Sequence, residues 1–223
     1  MKLSAEQIVE IEKYLGTFQI KYYELKQEFL DHMICSVEAI LNEKEISLKD
    51  AIQLAKRDFE PLGFVGIMEE RQREWRKKFS KAHWNWIKEF FKFPQIVFSI
   101  VLFISFYFVL ENFNNSLKTA YSINLILVPF LIIEFIKLYR LRKKQGHLLL
   151  RTETFLSNNI MLALLLPQIG LNILNGFKES LDMNNILLKI VISIVLVYSF
   201  LSTVVFRKMA ICEIKEVKKL YFS

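Results

Sequence analysis

Four runs of apolar residues in the C-terminal two-thirds of this 223-residue chain constrain its fold more than any other feature. They cover residues 93–113, 120–138, 155–174 and 186–206. Each approaches or reaches the ~20 residues of helix that cross ~30 Å of hydrocarbon. Inside such a layer the backbone has to satisfy its own N–H and C=O groups, which selects helices. The segments between the runs then orient them. The basic stretch RQREWRKKFSKAHWNWIKEFFKF precedes the first run, and KLYRLRKKQGHLLLR joins the second to the third. Arg207, Lys208, Lys215, Lys218 and Lys219 follow the fourth. The other two loops, ENFNNSLKTAYS and NGFKESLDMNN, hold one Lys each. Lys and Arg concentrate on the cytoplasmic side of membrane helices, so this alternation predicts a multi-pass protein of the cell (inner) membrane with both termini cytoplasmic.

Charge divides the chain near the same boundary. Residues 1–70 hold 8 Lys/Arg and 14 Asp/Glu, a net −6, whereas residues 71–223 hold 22 and 9, a net +13. The basic excess therefore flanks the apolar runs and does not mark a nucleic-acid partner. The acidic N-terminal third also lacks the clustered Lys and Arg that phosphate contacts need. MKLSAEQIVEIEKYL, acidic and amphipathic, predicts no signal peptide. Cys35 and Cys212 stand in no metal-ribbon spacing, and both fall on the predicted cytoplasmic side, where a disulfide is disfavoured.

Helix signals organise the N-terminal third. Ser4-Ala-Glu-Gln7 reads as a capping box that opens a helix running to about Phe18. A second helix is expected from about Tyr23 to Asn42. Ser47-Leu-Lys-Asp50 opens a third, with Leu48, Ala51, Ile52, Ala55 and Phe59 on one side and Pro61 and Gly63 at its end. In residues 71–93, Trp75, Phe79, Trp86, Phe90 and Phe93 recur at helical spacing among Arg and Lys, as a helix lying in the headgroup layer requires. The expected fold is all-α. A small three-helix cytosolic domain covers residues 1–70, an amphipathic interfacial connector 71–93, and a four-helix transmembrane bundle 94–223.

The second helix carries the most suggestive polar set. On a helical wheel Leu30, Ile34, Val37 and Leu41 fall together, widened by Phe29, Met33 and Ile40. Glu24, Glu28, Asp31, His32, Cys35 and Glu38 occupy the opposite arc. His32 and Cys35, three apart, have the spacing to share a soft divalent metal. One helix surface offers too few ligands for a closed site, however, and the carboxylates beside Cys35 disfavour its thiolate. The preferred reading is a solvated or partner-docking face, with no metal and no cofactor.

The stretch ELKQEFLDHMICSVEAILNEKEISLKDAIQLAKRDFEPLGF resembles the helical prefix domain called HAAS and the similar permease-prefix domains. The resemblance spans roughly residues 5–70 and rests on Glu28, Asp31, His32, Ser47, Ala51 and Gly63. It implies a domain placed before membrane spans, often in proteins encoded beside PadR-type regulators, and hence a regulatory or protein-binding role. Glu45-Ile46 stands where the usual turn glycine would be, and Cys35 lies outside the general pattern.

Within the apolar runs Glu134 stands out, because an intramembrane carboxylate is costly. Asn158 and Asn159 are placed at similar depth, with Gln168 and Asn172 further outward and Pro129 and Pro167 near mid-membrane. Together they describe a candidate intramembrane polar site. The simpler reading has Glu134 snorkelling or paired with Lys137, and Lys189 snorkelling from the outer end of the fourth run. No G-x-S-x-G, H-E-x-x-H, P-loop or dinucleotide fingerprint is present, so no enzyme activity is expected. The leading expectation is a membrane protein of regulatory or scaffolding type whose cytosolic domain binds a protein partner. The alternatives are an accessory subunit of a transporter or other membrane complex, and a small transporter or ion-binding protein centred on Glu134. Lipid is an expected partner, and a homo-oligomer is compatible with the sequence.

Overall fold

The computed structural model describes residues 2–18, 20–57, 63–113, 115–144, 146–176 and 186–222. The expectations placed on Phe59, Pro61 and the loop at 177–185 fall outside these residues. The helices are α1 (Ala5–Gly16), α2 (Tyr23–Glu43), α3 (Leu48–Lys56), α4 (Gly63–Glu89), α5 (Gln95–Asn112), α6 (Ser116–Leu141), α7 (Leu150–Ile160), α8 (Leu166–Gly176) and α9 (Ile186–Tyr221). A hairpin of two-residue strands, β1 (Lys143–Lys144) and β2 (His147–Leu148), lies between α6 and α7. Gly146 closes it at φ 81°, a left-handed conformation that glycine adopts without strain. The chain separates into two compact units. One is Met1–Trp75 with Arg142–Glu153, and the other is Arg76–Leu141 with Thr154–Ser223.

In the first unit the caps form as the sequence predicts. Ser4 Oγ accepts the Gln7 N–H at 3.3 Å while Gln7 Oε1 accepts the Ser4 N–H at 2.8 Å. Ser47 Oγ accepts the Asp50 N–H at 3.2 Å. Each bond satisfies an N–H that has no partner within the helix. The core joins Ile11 and Leu15 of α1, Leu25, Phe29, Met33 and Val37 of α2, and Ala51, Ile52 and Ala55 of α3. The deepest row of α2 is thus one ridge away from the row placed at the centre of its stripe. Phe29 and Met33 are fully buried, whereas Leu30, Ile34 and Leu41 are half-buried. A wheel locates a broad apolar arc. Which ridge of that arc goes deepest depends on the two neighbours, α1 and α3, between which α2 is held.

The segment from Arg142 to Glu153, a cytoplasmic loop by the hydropathy reading, is stitched into this unit. Leu148 N–H donates to the Lys21 carbonyl at 3.0 Å, and His147 Nδ1 lies 2.9 Å from the Ile20 carbonyl, to which it donates. Tyr22 donates its hydroxyl to Glu153 at 2.8 Å. The Arg151 guanidinium stands 4.8 Å from the centre of the Trp75 ring. Glu24 supplies the remaining link. Its carboxylate accepts the N–H groups of Leu150 at 2.9 Å and Arg151 at 3.2 Å, capping the first turn of α7 from a point 126 residues earlier in the chain. Burial raises the Glu24 pKa, and those N–H bonds and Arg151 oppose the rise.

Among the described residues, four helices are long and apolar enough to cross a membrane: Gln95–Asn112, Ser116–Leu141, Leu150–Gly176 and Ile186–Tyr221. They match the four runs in order. The last extends beyond its run, and at 36 residues it is about 54 Å long. Of the apolar windows, 61% of that in α9 is buried against 11% of that in α5, so α9 is the inner pillar and α5 an outer stave. Large apolar side chains, among them Phe98, Ile104 and Phe108 of α5 and Leu125, Ile126 and Ile133 of α6, are exposed. Such a continuous apolar sheath is stable in lipid and unstable in water.

Between α7 and α8 the helix widens into a π turn, Met161–Leu165, with Leu166 N–H bonded to the Met161 carbonyl. Pro167 is the cause. It has no N–H, and in a regular helix its ring would clash with the carbonyl of Ala163. One inserted residue relieves the clash.

The aromatic set of residues 71–93 divides in the structure. Phe79 and Phe90 are buried, with Phe79 edge-on to Phe155 at 5.1 Å, whereas Trp86 and Phe93 are exposed. The buried row Phe79, His83, Ile87 and Phe90 follows helical spacing and contains a histidine. α4 also begins earlier than the expected connector, at Gly63, and ends at Glu89.

Candidate functional site

Three polar constellations are candidates. The first is the outer face of α2. Asp31, His32 and Cys35 are exposed and adjacent, as the wheel predicts. Glu28 and Glu38 are half-buried and already engaged. Arg71 donates to Glu28 at 2.6 Å, and Glu38 accepts the Leu3 N–H at 2.9 Å. The hydrogen bond to Glu28, then its charge, holds the Arg71 guanidinium above its ordinary pKa. Among the described residues no group of three or more His, Cys, Asp or Glu is placed to hold a metal ion. The open part of this face is therefore narrower than the sequence implied: Gln27, Asp31, His32, Cys35 and Ala39, one above the other.

The second is Glu134. It is 2% exposed, and its oxygens accept from Lys137 Nζ at 3.1 and 3.2 Å. Arg207 Nε of α9 lies 3.6 Å away. The carboxylate is paired and does not snorkel. Two cations offset its charge, and both keep more than half of their side-chain surface exposed. Asn158, Asn159 and Gln168 have other surroundings. Ser80 donates to Asn158 Oδ1 at 3.0 Å, and Asn159 Nδ2 donates to the Phe155 carbonyl at 3.0 Å. Gln168, about 15 Å further along the helix axis than Asn158, lines a separate cavity with Tyr121, Asn124 and Val128. Asn172 accepts from Tyr121 at 2.8 Å. Lys189 does not snorkel either. It is 7% exposed and donates to Glu111 at 2.7 Å, joining α9 to α5. A salt bridge across two helices gives that ammonium a partner, so it need not reach for the interface.

The third constellation was not recognised in the sequence. His83 is fully buried, with Nε2 3.1 Å from Ser202 Oγ. Ser202 Oγ lies 3.3 Å, and Tyr198 OH 3.0 Å, from the Leu162 carbonyl. That carbonyl is free because the π turn takes its usual donor, Leu166 N–H, to Met161. Pro167 thus creates a bare acceptor, and two hydroxyls one turn apart on α9 satisfy it. Asn159 stands beside the imidazole, and its side-chain dipole favours the charged ring. Burial outweighs it and pushes the His83 pKa down to about 4. Ser202 gives its one proton to the Leu162 carbonyl, so a neutral ring protonated at Nε2 donates to Ser202 Oγ, while Nδ1 and Asn159 Oδ1 face each other's side chains without completing a hydrogen bond. The available signals were the Pro167 position, the Tyr198/Ser202 spacing and a histidine in an otherwise apolar row. The node joins α4, the π turn and α9, and its chemistry is that of a neutral structural relay.

Comparison of the chain with protein-family models, curated proteins and solved structures yields no match.

Proposed function

We propose that the chain is a multi-pass protein of the cell (inner) membrane, of regulatory or scaffolding type. Its N-terminal helical unit, on the cytoplasmic side, binds a protein partner. The observation that carries this reading is the outer face of α2. Behind it lies a fully buried core, and its polar residues Asp31, His32 and Cys35 face outward unspent. The resemblance to HAAS-type prefix domains at Glu28, Asp31 and His32 points the same way. Topology has support of its own. Arg142–Glu153 belongs to the same unit as Met1–Trp75, so the segment between the second and third apolar helices lies on the side of the N-terminus. With Lys and Arg concentrated there, that side is the cytoplasm.

Asp31→Lys with Cys35→Lys, placed where no fold contact is lost, tests the docking face. Affinity purification from the native host in mild detergent should recover a soluble regulator with the wild type and at least tenfold less with the variant. Equal recovery would remove the α2 face from the interaction. A stoichiometric membrane protein in place of the regulator would turn the reading to an accessory subunit. For topology, Asn114→Cys should react with an impermeant maleimide on intact cells, and Lys143→Cys only after lysis. The reverse pattern would place the N-terminal unit outside and end the proposal of a cytosolic partner.

A further inference from the structure

An apolar groove of about 430 Å³ opens within the second unit. Its walls are Trp84 and Ile87 of α4, Phe91 just beyond it, Ile100 of α5, and Ile194 and Val197 of α9. Three side chains of the lining carry polar atoms, the indole N–H of the exposed Trp84 and the hydroxyls of Ser99 and Tyr198, and both hydroxyls are already used. Ser99 donates to the Phe90 carbonyl at 2.8 Å, and Tyr198 donates to the Leu162 carbonyl at 3.0 Å. A polar ligand would lose its hydration here and find one indole N–H in return, so the occupant of this groove is hydrocarbon.

The rim is of opposite character. Lys208 Nζ stands 5.4 Å from the Trp86 ring centre and 5.5 Å from that of Phe90, the latter ring beside Ile87 and Phe91. Lys81 and Lys88 share one stripe of α4 with the lining residue Trp84. None of these three lysines has a carboxylate partner among the described residues. Trp84 and Trp86 are exposed at the same level, the position that indole rings take at a membrane interface. An apolar slot in a lipid-facing helix bundle, crowned by unneutralised ammonium groups and two tryptophans, matches one ligand in both halves.

We propose that this groove is a binding site for an anionic phospholipid. An acyl chain lies between α5 and α9 along Ile100 and Ile194, and the phosphate is held by Lys208 with Lys81 and Lys88. The site differs from the headgroup-layer helix that the sequence suggested, because the ligand enters a groove in the bundle and is not merely covered by a helix face. It discriminates headgroups by charge and is blocked by filling the slot.

The test uses the full chain purified in dodecyl maltoside. Native mass spectrometry follows its lipid adducts during titration with dioleoyl phosphatidylglycerol or dioleoyl phosphatidylcholine. Retained phosphatidylglycerol should exceed phosphatidylcholine at least tenfold. Ile100→Trp and Ile194→Trp fill the groove from opposite walls at positions half-exposed in the structure, so packing is not disturbed. Either should abolish the retained adduct with an unchanged melting profile. Lys88→Glu with Lys208→Glu should reduce phosphatidylglycerol to the phosphatidylcholine level. Equal retention of the two lipids by the wild type overturns the proposal. So does a phosphatidylglycerol preference that survives both tryptophan variants, since it would place the lipid on the basic collar and outside the groove.

Discussion

Phe29→Ala is expected to cost the first unit about 4 kcal/mol, the upper part of the range for removing a fully buried ring. Phe29 is 0% exposed at the centre of the row Leu25, Phe29, Met33 and Val37, where α1, α2 and α3 meet. Its side chain has no alternative position, and the fully buried Ile11, Leu15 and Ala51 cannot close the void without moving their helices. A domain of this size has roughly 5–15 kcal/mol in total, so the loss is a large fraction of it. Denaturant-dependent proteolysis within the first unit, followed on the full chain in detergent, is the measurement. Phe29→Leu should cost only about 1–1.5 kcal/mol, since it nearly conserves volume. Phe29→Ala and Leu30→Ala give the contrast that tests the register of α2. Leu30 is half-buried and should cost less than half as much. If the two alanine variants are equally destabilising, α2 is rotated relative to the structure described.

The second large effect is acid lability of the node at His83. Burial pushes its pKa from an ordinary 6.5 down to about 4. As pH falls, the unfolded chain takes up this proton first, so stability is intact above pH 6.5 and declines between pH 6.5 and 4. At ~1.4 kcal/mol per pKa unit, the full loss is roughly 3 kcal/mol. His83→Gln keeps a hydrogen-bonding side chain that does not titrate. The wild type should therefore lose about 3 kcal/mol relative to His83→Gln across that window. Equilibrium unfolding in detergent at a series of pH values measures the difference, and the carboxylates, common to both proteins, cancel. Parallel profiles would mean that His83 is already charged or solvated in the folded protein.

The number of apolar helices, their order, the two cap boxes and the polar outer face of α2 were all legible in the sequence, and each for the same reason. Hydropathy over twenty residues, a Ser three residues before a Gln or Asp, and a period of 3.6 are local properties. They do not depend on which neighbour the helix meets. Even the pairing of Glu134 with Lys137 could be anticipated, because an i,i+3 contact is written along one helix.

The remainder was decided between distant parts of the chain. Glu24 capping α7 across 126 residues, Lys189 reaching Glu111 and Arg207 approaching Glu134 join segments that no local pattern links. The same is true of His83. A histidine among basic and aromatic residues reads as a surface residue until Ser202, from the last helix, and the carbonyl left bare by Pro167 are brought beside it. The sequence by itself determined which segments can leave water, since the cost of dehydration is summed residue by residue. Only the tertiary structure decided which polar groups leave with them, because a buried polar group is tolerated only where a partner, often far away in the chain, arrives to satisfy it.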